Sequence, residues 1–165
     1  MTGMVLVAYG TTNGSTKEIA ETVSDVLLKG GLTAQVLAAS TVTSIAPYDA
    51  VVLGGALYAG RWHKDARRFV RHHRALLAGC PVWFFSSGPL DASASEKDLP
   101  PVSGVQRAMT RLGVRGHVTF GGCLREGAKG RMATMILRSG KGGDFRDFDA
   151  IKEWAGTISR DLSRG

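Results

Sequence analysis

Short apolar runs alternate with amphipathic segments along the chain. The runs are nearly continuous, as in strands buried on both faces of a parallel sheet, and they predict strands at residues 4–9, 33–39, 50–54, 81–86 and 117–121. Between them, apolar residues recur at helical spacing and predict helices at residues 16–29, 64–78, 103–112 and 148–162. Ser103 is the predicted N-cap of the third helix, whereas Gly30, Gly31 and Gly113 follow helix ends, where glycine is common.

The alternation of five strands with helices predicts an α/β fold with a doubly wound parallel sheet and helices on both faces. We expect residues 1–165 to form a single domain, because this length suits one compact core. Residues 41–48 are predicted to form a short helix or a loop. Right-handed crossovers bring the carboxyl ends of the strands to one edge, where ligands bind in such sheets. The loops expected at that edge span residues 10–15, 55–63, 87–102 and 122–147.

The first of these loops has the composition of a phosphate site. It contains four hydroxyl residues in six positions and enters a helix directly: Thr11, Thr12, Asn13, Gly14, Ser15 and Thr16. A helix N-terminus offers unpaired N–H groups and the positive end of the helix dipole, which suits a phosphate. The loop lacks the lysine of a nucleoside-triphosphate loop and the Gly-x-Gly-x-x-Gly pattern of a dinucleotide site. The remaining alternatives are a monophosphate site and a helix that is merely well capped.

This strand–loop–helix resembles the flavodoxin family, in which a loop rich in threonine holds the phosphate of FMN. The resemblance implies a flavodoxin-like fold, FMN as the cofactor, and residues 11–16 as its phosphate ligands. Asn13 stands where threonine is common in the family, and its amide is a donor that can replace a hydroxyl. No second phosphate site is apparent, so FMN rather than FAD is expected.

The same resemblance implies that two further loops contact the flavin ring. In the loop after the third strand, Tyr58 and Trp62 are the aromatic candidates, and Gly60 permits a close approach or a positive φ. Trp62 has an equally plausible role as a cover for the following helix. Backbone N–H groups around Ser87 and Gly88 are expected to bond the flavin edge. The cofactor-binding residues predicted in the two loops are Ala56, Leu57, Tyr58, Ala59, Gly60, Trp62, Ser86, Ser87, Gly88, Pro89 and Leu90.

Four motifs resemble a narrower family, the menaquinone-dependent protoporphyrinogen oxidases. They are Thr-x-Asn-Gly-x-Thr in the first loop, a Gly-x5-Gly-x-x-His pattern at residues 54–63, Phe-x-Ser at residues 84–86, and Gly-Gly-Asp at residues 142–144 before a helix that contains Trp154. The resemblance implies an FMN-dependent oxidoreductase with a quinone as electron acceptor. Residues 124–138 contain no aromatic residue, which is a departure from that family. An electron-transfer flavodoxin without a substrate of its own is the alternative.

Charge adds information about partners. The chain has a net charge of +7, and one helix carries a stripe of exposed cations, comprising Arg61, Lys64, Arg67, Arg68, Arg71 and Arg74. We expect this basic stripe to lie opposite the apolar side of the helix, which comprises Ala66, Phe69, Val70, Leu76 and Leu77. Such a stripe suits an acidic substrate, an anionic membrane or an acidic protein. Nearby cations also stabilise a reduced, anionic flavin and raise its potential, which favours electron transfer to a quinone.

Other classes of site are not indicated. His63 is the one histidine considered for proton transfer, although a structural role is favoured, and the histidine spacing indicates no metal site. Cys80 and Cys123 form neither a disulfide framework nor a CxxC motif and are consistent with a reducing, cytoplasmic location. We expect no signal peptide and no nucleic-acid partner, and peripheral contact with a membrane is compatible with the basic stripe. Two alternatives remain for the segment at residues 131–138: a mobile element that faces a partner, or a simple cover for the edge of the sheet.

Overall fold

A computed structural model of the protein describes residues 3–12, 14–89, 93–124, 138 and 143–164. Its strands are β1 (Met4–Gly10), β2 (Thr33–Ala38), β3 (Ala50–Tyr58), β4 (Arg61–Trp62), β5 (Val82–Ser87), β6 (Gly116–Phe120), β7 (Cys123–Leu124) and β8 (Gly143–Asp144). Its helices are α1 (Ser15–Lys29), α2 (Lys64–His72), α3 (Arg74–Leu77), α4 (Ser93–Glu96), α5 (Ser103–Leu112) and α6 (Phe148–Arg164). A short 3-10 turn spans Ala39–Thr41. Within these residues, no helix combines the length and apolar character that a membrane span requires.

Five long strands form a parallel sheet in the order β2-β1-β3-β5-β6. The short β4 pairs antiparallel with the end of β3, and β7 and β8 form a separate antiparallel ribbon. Apart from β4, this is the order of a doubly wound sheet. Strand β2 is added on one side of β1, and the later strands β3, β5 and β6 are added on its other side, so the winding reverses between β1 and β3. The predicted five-stranded parallel sheet is confirmed, and the cleft at its reversal point lies where the first predicted loop leaves β1.

Consecutive residues of the central strands face two different cores. Val5 and Val7 pack with α1 and α6 on one side of the sheet, whereas Leu6 and Ala8 pack with α2 and α5 on the other. All four side chains are at most 1 % exposed. Burial on both faces explains why the strands are apolar at nearly every position rather than at alternate positions.

Two glycines allow large rings to pack against the middle of β3. A side chain at Gly54 would overlap the ring of Phe85, which is its neighbour on β5. A Cβ at Gly55 would lie 2.8 Å from the indole of Trp62. Glycine is unfavourable in a strand interior unless another group approaches closely. Here the two rings supply that reason, and β3 continues through the glycines to Tyr58.

Several predicted boundaries and contacts are wrong. The predicted loop at residues 55–63 is mostly a β-hairpin, because β3 extends to Tyr58 and pairs with β4. The helix predicted at residues 64–78 is interrupted at His73, whose ring packs on Phe69 with centroids 4.6 Å apart. Beyond this interruption Leu76 is 51 % exposed rather than buried. Ser103 is the first residue of α5, and Val102 occupies the N-cap position.

Candidate functional site

The three loops predicted to form the site meet at the carboxyl edge of the sheet. Gly10, at the end of β1, approaches the start of α2 so closely that a Cβ would lie 2.9 Å from the amide nitrogen of Ala66. A Cβ on Gly88, beyond β5, would lie 2.6 Å from the Cβ of Leu57 on β3. These close approaches hold the first loop, the β3–β4 hairpin and the segment after β5 against one another.

The first loop contains two buried hydroxyls that lack partners. Among the described residues, Thr11 Oγ1 and Thr16 Oγ1 form no hydrogen bond, and Thr16 is 0 % exposed. A buried hydroxyl without a partner costs about 1–3 kcal/mol, so such groups indicate a missing acceptor. The N-cap of α1 is Gly14, with φ 83°, and it provides no capping side chain. The composition of the loop is therefore explained better by an anion site than by helix capping, and these residues fit a phosphate.

The third hydroxyl of this loop is oriented by a histidine. The His63 Nδ1 accepts the N–H of Asp65 at 3.1 Å, so the neutral ring carries its proton on Nε2. That Nε2 lies 3.1 Å from Thr12 Oγ1 and donates to it, which leaves the hydroxyl proton of Thr12 available for another acceptor. Burial lowers the pKa of His63 and favours this neutral form. Both ring nitrogens of His63 therefore have hydrogen-bond partners, Asp65 and Thr12. Neither nitrogen is free for the proton transfer that was considered for this residue.

The hairpin after β3 forms the second wall of the site. Leu57 pairs with Trp62 and Tyr58 pairs with Arg61, which leaves Ala59 and Gly60 as a two-residue turn. Both turn residues have positive φ, 51° and 73°, as a type I′ hairpin requires. The positive φ expected at Gly60 is therefore confirmed. Ala59 and Gly60 are exposed at the tip, while Leu57 and Tyr58 are partly buried.

Trp62 does not present its ring to a ligand. The residue is 4 % exposed, its Nε1 donates to Ser86 Oγ at 3.0 Å, and its ring packs on Phe84 with centroids 4.8 Å apart. The expected contact between Trp62 and a flavin is therefore corrected, because the hairpin register directs the indole into the core beneath Gly55. Tyr58 is the remaining aromatic candidate on this wall.

The segment after β5 is already extensively bonded. Ser86 and Ser87 are 1 % and 2 % exposed, and the N–H of Gly88 donates to the carbonyl of Phe120 at 3.1 Å. The expected donation from Gly88 to a flavin is therefore wrong. The carbonyl of Pro89 likewise accepts from Gly122 at 2.8 Å. This segment therefore forms part of the wall of the site, and the N–H of Gly88 is not free to bond a ligand.

Ser86 links the site to a buried histidine. Its Oγ accepts from Trp62 Nε1 and forms a second hydrogen bond with His117 Nε2 at 2.9 Å, whose direction depends on which ring nitrogen of His117 carries the proton. Burial lowers the pKa of His117 to about 4, and the charge of Asp98 opposes that shift only in part. At neutral pH His117 is therefore uncharged, whereas in its protonated form both ring nitrogens are donors and Ser86 can only accept at this contact.

His117 should make the stability of the fold depend on pH. The unfolded chain binds a proton at the ordinary histidine pKa of 6.5, whereas the folded pKa is about 4. The contribution of neutral His117 to the free energy of unfolding is therefore fully present above pH 6.5, and it is lost as the pH falls towards 4. The full difference between the two pKa values corresponds to at most about 3 kcal/mol, and we expect about 2 kcal/mol because the ring is partly exposed.

Urea denaturation of the parent protein and of His117→Gln at pH 7, 5.5 and 4.5 measures this contribution. Glutamine keeps an acceptor for Ser86 but does not titrate, so the free energy of unfolding should fall less steeply for the variant. Parallel pH profiles for the two proteins would contradict the assignment to His117.

Arg146 is a structural residue that the sequence analysis missed. Its side chain is 1 % exposed and donates to Asp144 at 2.8 Å, to Glu18 at 3.2 Å and to the carbonyl of Ser15 at 3.3 Å. It thereby ties the start of α1, where the phosphate loop ends, to the segment that precedes α6. The Gly-Gly-Asp motif was the available signal, because its Asp144 is the principal partner.

The basic stripe has the exposure that was predicted. Its six residues, Arg61, Lys64, Arg67, Arg68, Arg71 and Arg74, are all exposed. Arg67 is held by a hydrogen bond from its Nε to the carbonyl of Trp62 at 3.1 Å. Val70 was expected on the opposite side of the helix, yet it lines the same groove as Arg67 and Arg71. Four residues of the stripe, Arg61, Arg67, Arg71 and Arg74, therefore line one wall of a concave surface, and Lys64 and Arg68 lie outside it.

Three predictions fall on residues outside the described ranges. Asn13 and Leu90, two of the predicted cofactor ligands, are not among the described residues, and neither is most of the segment at residues 131–138. Their roles stay predictions. Within the described ranges, no group of three His, Cys, Asp or Glu side chains is arranged to hold a metal ion.

Comparison with known proteins identifies a family match. A family model described as a flavodoxin domain matches residues 6–138. The protoporphyrinogen IX dehydrogenase [quinone] of Escherichia coli strain K12 is 30 % identical over 104 residues. That match covers 62 % of this chain, and it spans 57 % of the length of the relative.

Solved structures share the fold at low sequence identity. A flavodoxin from the domain Archaea superposes with a TM-score of 0.63 at 14 % identity, and the match covers 97 % of this chain and 99 % of that one. Rubredoxin oxygen:oxidoreductase from Desulfovibrio gigas gives a TM-score of 0.66 at 14 % identity and covers 98 % of this chain, but the match spans 36 % of that larger chain.

Proposed function

Because this chain belongs to the flavodoxin domain family, whose cofactor is FMN, we propose that it is an FMN-dependent oxidoreductase that passes electrons from an organic substrate to a quinone. The observation that carries the proposal is the pair of buried hydroxyls of Thr11 and Thr16, which have no hydrogen-bond partner among the described residues. The exposed basic stripe adds a second observation. The hydroxyls suit a phosphate, and the basic surface suits a flavin whose reduced form is an anion.

We assign the cofactor to the carboxyl edge of the sheet. The phosphate ligands are Thr11, Thr12, Asn13, Gly14, Ser15 and Thr16, with Thr12 oriented by His63 as described above. We assign Tyr58, Ala59 and Gly60 of the hairpin to one wall beside the ring and residues 86–89 to the adjoining wall, with Leu90 as a further predicted ligand. When bound, FMN supplies transfer of one or two electrons. The protein positions the cofactor and excludes water, and no proton-transferring side chain is required of it.

The substrate class rests on similarity to the E. coli dehydrogenase, whose name specifies protoporphyrinogen IX and quinone. We propose a reduced tetrapyrrole that bears carboxylates as the electron donor, since the arginines near the hairpin provide counter-charges. A cytoplasmic location, with peripheral contact to the membrane that contains the quinone, is part of this proposal.

The second candidate is an electron-transfer flavodoxin that has no substrate of its own. The observation in its favour is that the archaeal flavodoxin matches this fold along nearly the full length of both chains. A redox protein would then replace both the tetrapyrrole and the quinone as partners.

Spectroscopy followed by anaerobic turnover distinguishes the candidates. The purified protein should be yellow and should release FMN rather than FAD on heating. Protoporphyrinogen IX should bleach the flavin band without another protein, and menadione or a short-chain ubiquinone should restore it. Bleaching that requires a separate reductase would support the electron-transfer alternative, and a protein that takes up no FMN at micromolar concentration would refute both.

A further inference from the structure

The positive charge of this protein is concentrated in one layer of the fold. Residues 61–77, which include α2 and α3, and residues 103–112, which form α5, together contain eight basic residues and one acidic residue. Their net charge is +7, so the remainder of the chain has no net charge. Seven of the eight cations are arginine, whereas the remainder contains seven arginines and six lysines. The layer is therefore distinguished by arginine as well as by charge.

The α2 and α5 helices enclose a groove of about 430 Å³ on this layer. Its floor is apolar and includes Val70, Val105, Ala108 and Leu112. Its rims carry six arginines, Arg61, Arg67, Arg71, Arg74, Arg107 and Arg111, and none of the described residues that line it is acidic. We call this surface the arginine groove.

The guanidinium groups of the arginine groove have no carboxylate partner among the described residues. In the part of the chain that the structure describes, none of the six forms an ion pair with an acidic side chain. Arg67 is fixed along the wall by its bond to the carbonyl of Trp62 at 3.1 Å. Six like charges around one concavity repel one another, and an acidic occupant relieves that repulsion.

We propose that the arginine groove binds an acidic amphipathic helix of a partner protein. An apolar floor between two cationic rims is complementary to a helix whose apolar stripe is flanked by Asp and Glu. The α2 and α5 helices contain nine and ten residues, which corresponds to about 15 Å of contact. Arginine forms bidentate pairs with carboxylates and is enriched at protein interfaces, where lysine is depleted.

Other polyanions fit this groove less well. Attraction to an anionic membrane depends on the number of charges, with no preference for arginine over lysine, and it is strengthened by apolar side chains that protrude. The exposed large apolar residues in the described ranges are Met4, Leu28 and Leu76, and none of them lines the groove. A nucleic acid would contact the rims but offers no apolar stripe for the floor.

One end of the groove is formed by Gly60 and Arg61 of the β3–β4 hairpin. A helix bound there would lie beside the edge to which the cofactor is assigned. The binding inference itself does not depend on the proposed function, because it requires only charge and shape.

Fluorescence anisotropy with a labelled synthetic helix of about four turns tests the proposal. The probe has a leucine stripe flanked by glutamates and is titrated with the full chain at about 0.15 M salt. We expect micromolar affinity, and binding at least about 10-fold weaker for Arg71→Glu with Arg107→Glu. The matched control is Lys64→Glu with Arg68→Glu, which has the same net charge but changes exposed residues outside the groove; its loss should stay below about threefold.

The alternatives give distinct results. Equal losses in the two double variants would overturn the proposal in favour of diffuse attraction. A scrambled peptide of the same composition that binds as tightly would refute a role for the apolar floor. Vesicles containing phosphatidylserine, or single-stranded DNA, that bind more tightly than the peptide and are released by the groove substitutions would assign the groove to a membrane or a nucleic acid instead. Absence of peptide binding up to about 1 mM would also overturn it.

Discussion

Replacing Thr11 and Thr16 together by valine should weaken FMN binding by about 10²- to 10⁴-fold without destabilising the apoprotein. Both hydroxyls are buried, and neither has a partner among the described residues. Each hydrogen bond lost to a charged phosphate is worth about 1.5–3 kcal/mol. Without FMN, valine preserves the shape of threonine and removes the cost of an unpaired hydroxyl. The apoprotein should therefore unfold at the same temperature as the parent or at a higher one.

Titration of FMN into apoprotein, followed by the quenching of flavin fluorescence, measures the affinity, and a thermal scan without FMN measures the stability. Thr22→Val is the matched control, since Thr22 lies on the same helix and its hydroxyl already donates to the carbonyl of Glu18 at 3.0 Å. The control should leave FMN affinity unchanged. An unchanged affinity in the double variant would place the phosphate elsewhere, and a clear loss of apoprotein stability would show that the hydroxyls serve the fold.

The sheet could be predicted from sequence because its determinants are local. Residues 5–8 are apolar at every position since each faces one of two cores, and such a run fits few elements other than a strand in a parallel sheet. The hydroxyl-rich composition of the first loop was equally accessible, because its hydroxyl residues and the following helix are contiguous in the chain, and its phosphate-binding role stays a prediction. Alternation of strands and helices then restricts the topology, and the topology determines the edge at which these loops meet.

The orientation of Trp62 could not be predicted in the same way. Its direction depends on the register of the hairpin, in which Trp62 pairs with Leu57, and on the space left by Gly55. Two adjacent glycines also weaken the strand signal at the point where β3 continues. The rings that justify them, Phe85 and Trp62, are distant in sequence, so the reason for the glycines becomes visible only after folding.

The charge pattern was partly predictable for a related reason. Helical periodicity is sufficient to place the basic stripe on an exposed face, because it depends on residues within one helix. It does not reveal that Arg107 and Arg111 of α5 lie across a groove from Arg67 and Arg71. Part of the stripe forms one rim of a groove because α2 and α5, which are more than 30 residues apart in the chain, lie side by side. The same arrangement places Val70 in the groove with the arginines.

Arg146→Met should reduce the free energy of unfolding by about 3 kcal/mol. The guanidinium makes charge-assisted hydrogen bonds to Asp144, Glu18 and the carbonyl of Ser15, and it lies 5.1 Å from the ring centroid of Phe148. Bonds of this kind are worth about 1.5–3 kcal/mol each when buried, but the carboxylates are 38 % and 50 % exposed and regain water in the variant. Methionine retains much of the packing, so the measured loss isolates the polar contacts.

A second arginine in the same chain provides the comparison. Arg115 pairs with Asp161 at 2.8 Å and lies 5.5 Å from the ring of Trp83, but its side chain is 48 % exposed. Chemical denaturation should show a loss below about 1 kcal/mol for Arg115→Met, as is usual for an exposed ion pair. Because Arg146 also fixes the carbonyl of Ser15, its variant should weaken FMN binding, whereas Arg115→Met should not. Equal destabilisation by the two substitutions would contradict a special role for the buried position, and unchanged FMN affinity in Arg146→Met would show that the start of α1 holds its geometry without this contact.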